Sequence, residues 1–155
     1  MTVEPMTRTE PKASVFSLAG TPVLSAGRYD EVLASTDEFV ARVKVYAEGG
    51  ENATHTHLTE DHLFFVLAGE ATFSLGRNDE EQVVVGPNQG VMVPRGSFYH
   101  FLSSGEENLV MVRVGSGDKD DRGRTGPDGV PMPGHDPRNK HVDGVPVPGR
   151  FFEAR

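Results

Sequence analysis

The chain has 155 residues, of which 36% are hydrophobic, and this is enough for one domain with a core of ordinary size. Its 15 Lys and Arg against 23 Asp and Glu leave a formal net charge of −8, which argues against nucleic acid and against an anionic membrane as partners. The lack of cysteine excludes disulfides, thiolate metal sites and cysteine nucleophiles, and without a long apolar run or a signal-like first segment we expect a cytoplasmic protein.

Residues 1–36 predict a loosely structured N-terminal arm with one or two short strands, because short apolar pieces alternate there with glycine and polar residues. Residues 37–115 follow a period of two that is interrupted by turn residues, and no stretch shows a helical period. About seven short strands at this spacing indicate an all-β sandwich or small barrel. The predicted strands cover residues 39–46, 62–67, 71–75, 82–85, 90–94, 99–102 and 109–114.

Residues 116–155 change in character, because glycine and proline are frequent there and β-branched residues are few. Such a segment cannot build a core of its own. We predict an extended strap that docks on the barrel or on a partner subunit, with a disordered tail as the alternative. Val-Pro repeats and the terminal Phe151-Phe152 pair favour docking, since adjacent phenylalanines need burial.

Three of the six histidines, His55, His57 and His62, fall within eight residues. On an extended strand, residues two apart point to the same side, so His55 and His57 present two imidazoles together. Imidazole is a good ligand for first-row divalent metals. His135 and His141 lie in the tail and are expected to be solvated.

The segment from Gly50 to Gly69, with the His55-x-His57 pair inside it, resembles the first motif of the cupin superfamily. The Pro94-Arg95-Gly96 turn that precedes His100 resembles the second motif. The resemblance covers roughly residues 40–114. It implies a double-stranded β-helix, or jelly roll, with a metal deep in the barrel that is held by the two motif-1 histidines, a glutamate and a motif-2 histidine. It also implies a homodimer, which is common among small cupins.

The first motif departs from the family pattern at the carboxylate. His62 stands six residues before Gly69, where the family usually has glutamate, and Asp61 fits only if the preceding gap is shorter. We therefore predict that His62 is a ligand, as in the four-histidine sites of cupin polyketide cyclases. Glu60 and Asp61 are interpreted as solvated turn residues, with a supporting role to the histidines as the alternative.

The second motif departs in its spacing, because three residues rather than two separate Gly96 from His100. The family's spacing of two residues after the glycine places Tyr99 at the ligand position. We nevertheless predict that His100 is the ligand, turned inward by a one-residue bulge after Gly96. If Tyr99 points inward instead, its phenol becomes a hydrogen-bond donor or a catalytic acid.

The predicted protein is a mononuclear cupin that holds one divalent ion (Fe, Mn, Ni, Cu or Zn) through His55, His57, His62 and His100. We predict an enzyme with a small carbonyl or phenolic substrate, and dioxygenase chemistry is favoured over metal-assisted cyclisation or isomerisation. The alternative from another class is a non-catalytic small-ligand-binding module.

Three cations, Arg42, Lys44 and Arg113, lie on predicted strands and could reach an anionic substrate. A solvated strand face is the simpler interpretation of each.

Overall fold

The structure of the protein is a computed structural model that describes residues 10–117, 120–121, 123–133 and 142–153. The described residues form eleven strands and no helix, and hence no helix that could cross a membrane. The strands are β1 (Pro22–Ala26), β2 (Arg28–Ser35), β3 (Phe39–Tyr46), β4 (Gly50–His55), β5 (Asp61–Ala68), β6 (Ala71–Leu75), β7 (Glu81–Val85), β8 (Gly90–Val93), β9 (Tyr99–Ser103), β10 (Leu109–Ser116) and β11 (Val145–Phe151).

The strands form two larger antiparallel sheets and one small one. The larger sheets have the orders β2-β3-β10-β5-β8 and β4-β9-β6-β7, and β1 pairs with β11 in the third. The crossovers between strands distant in sequence are those of a jelly roll, which confirms the predicted all-β cupin fold. The bounds predicted for β3 and β6 coincide with the observed ones.

The main core lies between the two larger sheets and is aromatic. Phe64, Phe73, Phe101 and Tyr99 are all buried, with ring centroids 5.2 to 5.5 Å apart for several of the pairs they form. Such ring pairs add edge-on and tilted contacts to the burial of apolar area. This core fills the barrel below the histidines.

A second apolar cluster lies on the outer face of the five-stranded sheet. Val43 and Val45 of β3 are buried there against Leu24 of β1 and Val110 of β10. The sequence predicts β3 as half-buried, and this is wrong, because the β1–β11 sheet covers its outer face.

The C-terminal tail returns to the N-terminal part of the chain. β11 pairs antiparallel with β1, and the amide of Phe152 donates to the carbonyl of Thr21. Phe152 packs against the second cluster, whereas Phe151 remains 52% exposed. The expectation that both phenylalanines are buried is therefore wrong for Phe151, because neighbouring residues on an extended chain face opposite sides. His135 and His141 lie outside the described residues.

The two terminal phenylalanines make a matched test of the docked tail. We expect Phe152→Ala to lower the free energy of unfolding by about 1–2 kcal/mol, less than a fully buried Phe→Ala change because Phe152 is only partly buried. Phe151→Ala should change it by less than about 0.5 kcal/mol. Urea titration of both variants measures the difference, and equal effects would contradict the packing described above.

Candidate metal centre

The candidate centre lies at one end of the barrel, where the two larger sheets meet. His55 is the last residue of β4 and pairs across the sheet with Tyr99 of β9. His62 is near the start of β5 and pairs with Gly115 of β10. His57 lies in the connection that carries the chain from one sheet to the other. The fold thus brings residues from four strands to one place.

The site contains a compact group of three possible metal ligands: His57, Glu60 and His62. One ligand atom from each lies within 4.8 Å of the others. The Oε2 atom of Glu60 is 3.2 Å from Nδ1 of His57 and 3.4 Å from Nε2 of His62. All three side chains are buried, with at most 7% of the surface exposed. We define these three residues as the ligand group.

The role of Glu60 was misjudged from the sequence, which predicts a solvated turn residue. Its carboxylate is buried between two imidazoles, while the next residue, Asp61, points outward and forms an ion pair with Arg95 at 3.0 Å. The signal that could have found Glu60 is its spacing of three residues from His57. Spacing alone does not show that the turn carries this carboxylate inward.

The surroundings of the Glu60 carboxyl lower its pKa and so favour its ionised form. Burial alone raises the pKa of this carboxyl, but its contacts with His57 and His62 outweigh that effect and lower the pKa well below its ordinary range. A buried negative charge next to two imidazole nitrogens favours a bound cation. The ligand group therefore has the electrostatics of a metal site.

His55 lies beside the ligand group and is held in a defined orientation. Its Nδ1 is 2.9 Å from the carbonyl oxygen of Ala53, and because a carbonyl can only accept, Nδ1 carries the proton. Nε2 then has the lone pair that a metal requires. The ring centroid of His55 is 5.1 Å from that of His57 and 4.7 Å from that of Tyr99. Of the predicted ligands, the structure brings His55, His57 and His62 together.

Tyr99 points inward, as strict counting in the second motif requires. It is 1% exposed, and its hydroxyl is 3.2 Å from Nδ1 of His62. The phenol therefore lies at the edge of the ligand group. This position agrees with the predicted role of Tyr99 as a donor or acid.

His100 lies on the other face of β9, and its prediction as a metal ligand is wrong. Its Nδ1 is 2.9 Å from the hydroxyl of Thr54 and 3.3 Å from a carboxylate oxygen of Asp79. Side chains alternate along β9, so Tyr99 and Phe101 are buried inside while His100 faces outward. Tyr99, His100 and Phe101 also pair in an unbroken register with three consecutive residues of β6, so β9 has no bulge at this point.

Two glycines of the β10 end allow the backbone to approach the ligand group closely. A Cβ on Gly115 would lie 3.2–3.3 Å from the ring of His62, and one on Gly117 would lie 2.3 Å from the carbonyl oxygen of Thr59. Gly117 also has φ of +152°, which disfavours other residues. Neither glycine could be recognised from the sequence pattern alone.

The tail contacts the connection that carries the ligands. The amides and carbonyls of Thr56 and Thr125 form two reciprocal hydrogen bonds of 2.9 Å, and the hydroxyl of Thr59 donates to the carbonyl of Asp121. Thr56 lies between His55 and His57, so these bonds hold the backbone of both. The tail thereby supports the positions of these two histidines.

The residues present fit a divalent ion. His57 Nδ1 and His62 Nε2 are buried and make no hydrogen bond with any described residue, although both lie close to the Glu60 carboxylate. Buried nitrogens without hydrogen bonds are costly in a protein, and a metal satisfies them.

A family model described as a cupin domain matches residues 42–115, which include the whole ligand group. Residues 42–115 are a cupin domain.

Several solved structures share the fold of this chain at low sequence identity. KdgF from Halomonas sp. is 18% identical at a TM-score of 0.60, with 71% of this chain and 98% of that chain covered. A Klebsiella pneumoniae protein with a double-stranded β-helix domain is 21% identical at a TM-score of 0.56, with coverages of 74% and 96%. Streptomyces PAC13 with uridine is 16% identical at a TM-score of 0.54, with coverages of 72% and 88%. No curated protein sequence matches this chain.

Glu60 and Asp61 provide a matched pair of carboxylates for testing the metal centre. We expect Glu60→Gln to lower the affinity of the cupin domain for a divalent ion by roughly 100-fold or more, since loss of a direct ligand should exceed the 10- to 100-fold effect of outer residues. Asp61→Asn should leave the affinity nearly unchanged because Asp61 faces Arg95. Competition with a chromogenic chelator measures both, and equal losses would exclude Glu60 as a ligand.

Tyr99 and His100 test which face of β9 belongs to the centre. His100→Ala should change metal affinity by less than about twofold, because its side chain binds Thr54 and Asp79 outside the barrel. Tyr99→Phe removes the hydroxyl next to His62 and should change metal affinity more than His100→Ala does. If His100→Ala lowers metal affinity more than Tyr99→Phe does, His100 is the ligand and a bulge after Gly96 turns it inward.

Acid should destabilise the metal-free protein. Burial lowers the pKa of His62 to about 4 from 6.5, so between these values the unfolded chain binds a proton that the folded chain does not. The stability contributed by neutral His62 is complete above pH 6.5 and is lost as the pH falls towards 4. We expect a loss of about 2 kcal/mol at pH 5, measured by urea titration. His62→Gln should show a smaller loss, and an unchanged pH dependence in that variant would contradict the assignment.

Proposed function

We propose that this cupin is a mononuclear metal-dependent enzyme of the dioxygenase type, with a small carbonyl or phenolic compound as its substrate. The observation that carries the proposal is the convergence of His57, Glu60 and His62 in a buried site next to the Tyr99 hydroxyl.

The donor set favours redox chemistry over a structural clip. Two imidazoles and one carboxylate are the ligands typical of non-haem iron(II) oxygenases, whereas closed structural zinc sites in proteins use four tightly bound ligands. A divalent ion held here would supply Lewis acidity and, if redox-active, electron transfer to an oxygen substrate. The Glu60 carboxylate would offset one of its two positive charges.

His62 and Tyr99 together can hold a proton at the edge of the centre. When Nε2 of His62 serves as a ligand, the proton of the neutral ring is on Nδ1, which then donates to the Tyr99 oxygen 3.2 Å away. That bond uses a lone pair of the phenol and not its hydrogen. The Tyr99 hydroxyl can therefore donate to an oxygen atom of the substrate or deliver a proton to it.

The surroundings of the centre suit an organic substrate. Phe64 lies under His62 with ring centroids 6.1 Å apart, and it is continuous with the buried aromatic core. Low polarity strengthens the interaction of a bound substrate with the charges of the site. Among the solved structures of similar fold, that of PAC13 contains uridine, which supports the binding of a small organic molecule by this fold.

A second candidate is metal-assisted cyclisation or isomerisation, and the Tyr99–His62 pair favours it. A phenol that hydrogen-bonds a buried imidazole is suited to donate a proton to the carbonyl oxygen of a substrate. An enolisation combines this transfer with removal of a proton from the neighbouring carbon by a base, for which solvent water is available. This reaction does not consume oxygen.

Oxygen consumption separates the two candidates. The purified protein loaded with Fe(II) or with Zn(II) is offered phenolic, β-diketone and polyketide-like compounds, while oxygen uptake and product formation are followed. A dioxygenase consumes oxygen with Fe(II) only, and Glu60→Gln abolishes this while Asp61→Asn does not. Product formed equally with Zn(II) and without oxygen uptake would favour the second candidate. No product under any condition would contradict both and would leave a binding module.

A further inference from the structure

The inner face of the five-stranded sheet carries three cations beside the metal centre. Arg42 and Lys44 lie on β3 and Arg113 on β10, and in the register of the two strands Arg113 pairs with Arg42. Lys44 pairs in the same way with Met111, a residue of the main core, so all three cations share the inner face.

Only part of this charge is neutralised. Asp30 of β2 forms ion pairs of 2.8 Å with both Arg42 and Lys44. Arg113 forms no ion pair with any described residue, and its buried Nε makes no hydrogen bond among them. A buried N–H group without an acceptor is costly, and none of the described residues supplies an oxygen to the Nε–H group of Arg113.

Arg113 is also close to the ligand group. It pairs with Phe64 of β5, and two residues further along β10, on the same face, Gly115 pairs with His62. Gly115 has no side chain to separate Arg113 from the centre. The charge of Arg113 contributes to the lowered pKa of His62, after the larger effect of burial, which is consistent with this proximity.

The placement of Arg113 opposes stability. Like charges directly opposite one another on neighbouring strands are destabilising, and Arg113 faces Arg42 in this way. Natural proteins retain such conflicts mainly at functional sites. A ligand with negative charge would relieve both the repulsion and the missing hydrogen bond.

We infer that Arg113 is a specificity-determining residue that binds a carboxylate group of the substrate while the reacting part lies at the ligand group. Nε–H and a terminal N–H of a guanidinium form a fork that matches the two oxygens of a carboxylate. The inference rests on the proposed function for the position of the reacting group. It adds that the substrate class is a small carboxylate-bearing carbonyl compound, and not a neutral one.

The test compares acetoacetate with acetylacetone, two β-dicarbonyl compounds of similar size of which only the first has a carboxylate. Binding of each to the Zn(II)-loaded full chain is measured by calorimetry for the wild type, Arg113→Gln, Arg113→Lys and Arg150→Gln. Arg150, on the exposed strand β11, is the control for a general loss of positive charge.

We expect the wild type to bind acetoacetate more tightly than acetylacetone. Arg113→Gln should weaken acetoacetate binding roughly 10- to 100-fold, and Arg113→Lys less, while acetylacetone binding changes little. Arg150→Gln should change neither. Thermal unfolding should show Arg113→Gln at least as stable as the wild type, because the Arg42–Arg113 repulsion is removed.

Several results would overturn the inference. They are equal binding of the two compounds by the wild type, an equal loss of both in Arg113→Gln, and a loss in Arg150→Gln as large as that in Arg113→Gln. Inorganic phosphate is tested as a competitor of acetoacetate. If phosphate binds more tightly than acetoacetate, the group that Arg113 recognises is a phosphate and not a carboxylate.

The metal-free protein separates this inference from the proposed function. Acetoacetate should still shift the NMR signal of the Arg113 Nε–H group, because the guanidinium does not need the metal. If the chain binds no metal but this shift occurs, the proposed function fails and the role of Arg113 stands. If the chain binds metal but acetoacetate does not shift this NMR signal, the role of Arg113 fails and the proposed function stands.

Discussion

The contact on which the candidate site depends is that of one buried carboxylate with two imidazoles. Glu60 is 2% exposed, and its Oε2 atom lies within 3.4 Å of nitrogens from both His57 and His62. The energetic cost of burying such a charge is large unless it is compensated. The turn between β4 and β5 must therefore hold Glu60 in a single position, and the hydrogen bonds from Gly96 to the carbonyl of His57 and between Thr56 and Thr125 support that turn.

The two apolar clusters have different consequences for the centre. The aromatic core inside the barrel supports the rings of His62 and Tyr99 from below. The outer cluster ties β1, β3, β10 and the tail together and so fixes the sheet on which Arg113 and Gly115 lie. The tail contributes to both the outer cluster and the ligand-bearing turn, which makes it part of the site's framework and not an appendage.

Charge is arranged unevenly in a chain that is acidic overall. The formal net charge of the chain is −8, whereas the described residues place three cations and one acid on the inner face of the five-stranded sheet. A metal ion would add further positive charge next to them. Under the inference drawn for Arg113, an acidic protein would bind a small anion through this local field and not through the net charge of the molecule.

The amino-acid sequence was enough to predict the fold class and a possible metal centre at the first motif. Period-two alternation between turn residues predicted the strands, because a half-buried strand must alternate, and the His55-x-His57 pair indicated a metal centre because strand geometry puts both rings on one side. Prediction from the sequence failed where the result depends on whether a side chain points into the barrel or out of it. Glu60 lies in a turn, where no periodicity constrains direction, and only the chain's path between the two sheets carries its carboxylate inward. His100 and Tyr99 are neighbours on one strand, so a shift of one residue exchanges them, and the pairing of β4 with β9 decided that Tyr99 faces His55. The position of Arg113 also required the tertiary structure, since only the pairing of β10 with β3, two strands far apart in the sequence, places it opposite Arg42. Asp30 lies on β2, the strand that precedes β3, and forms its ion pairs with Arg42 and Lys44 instead.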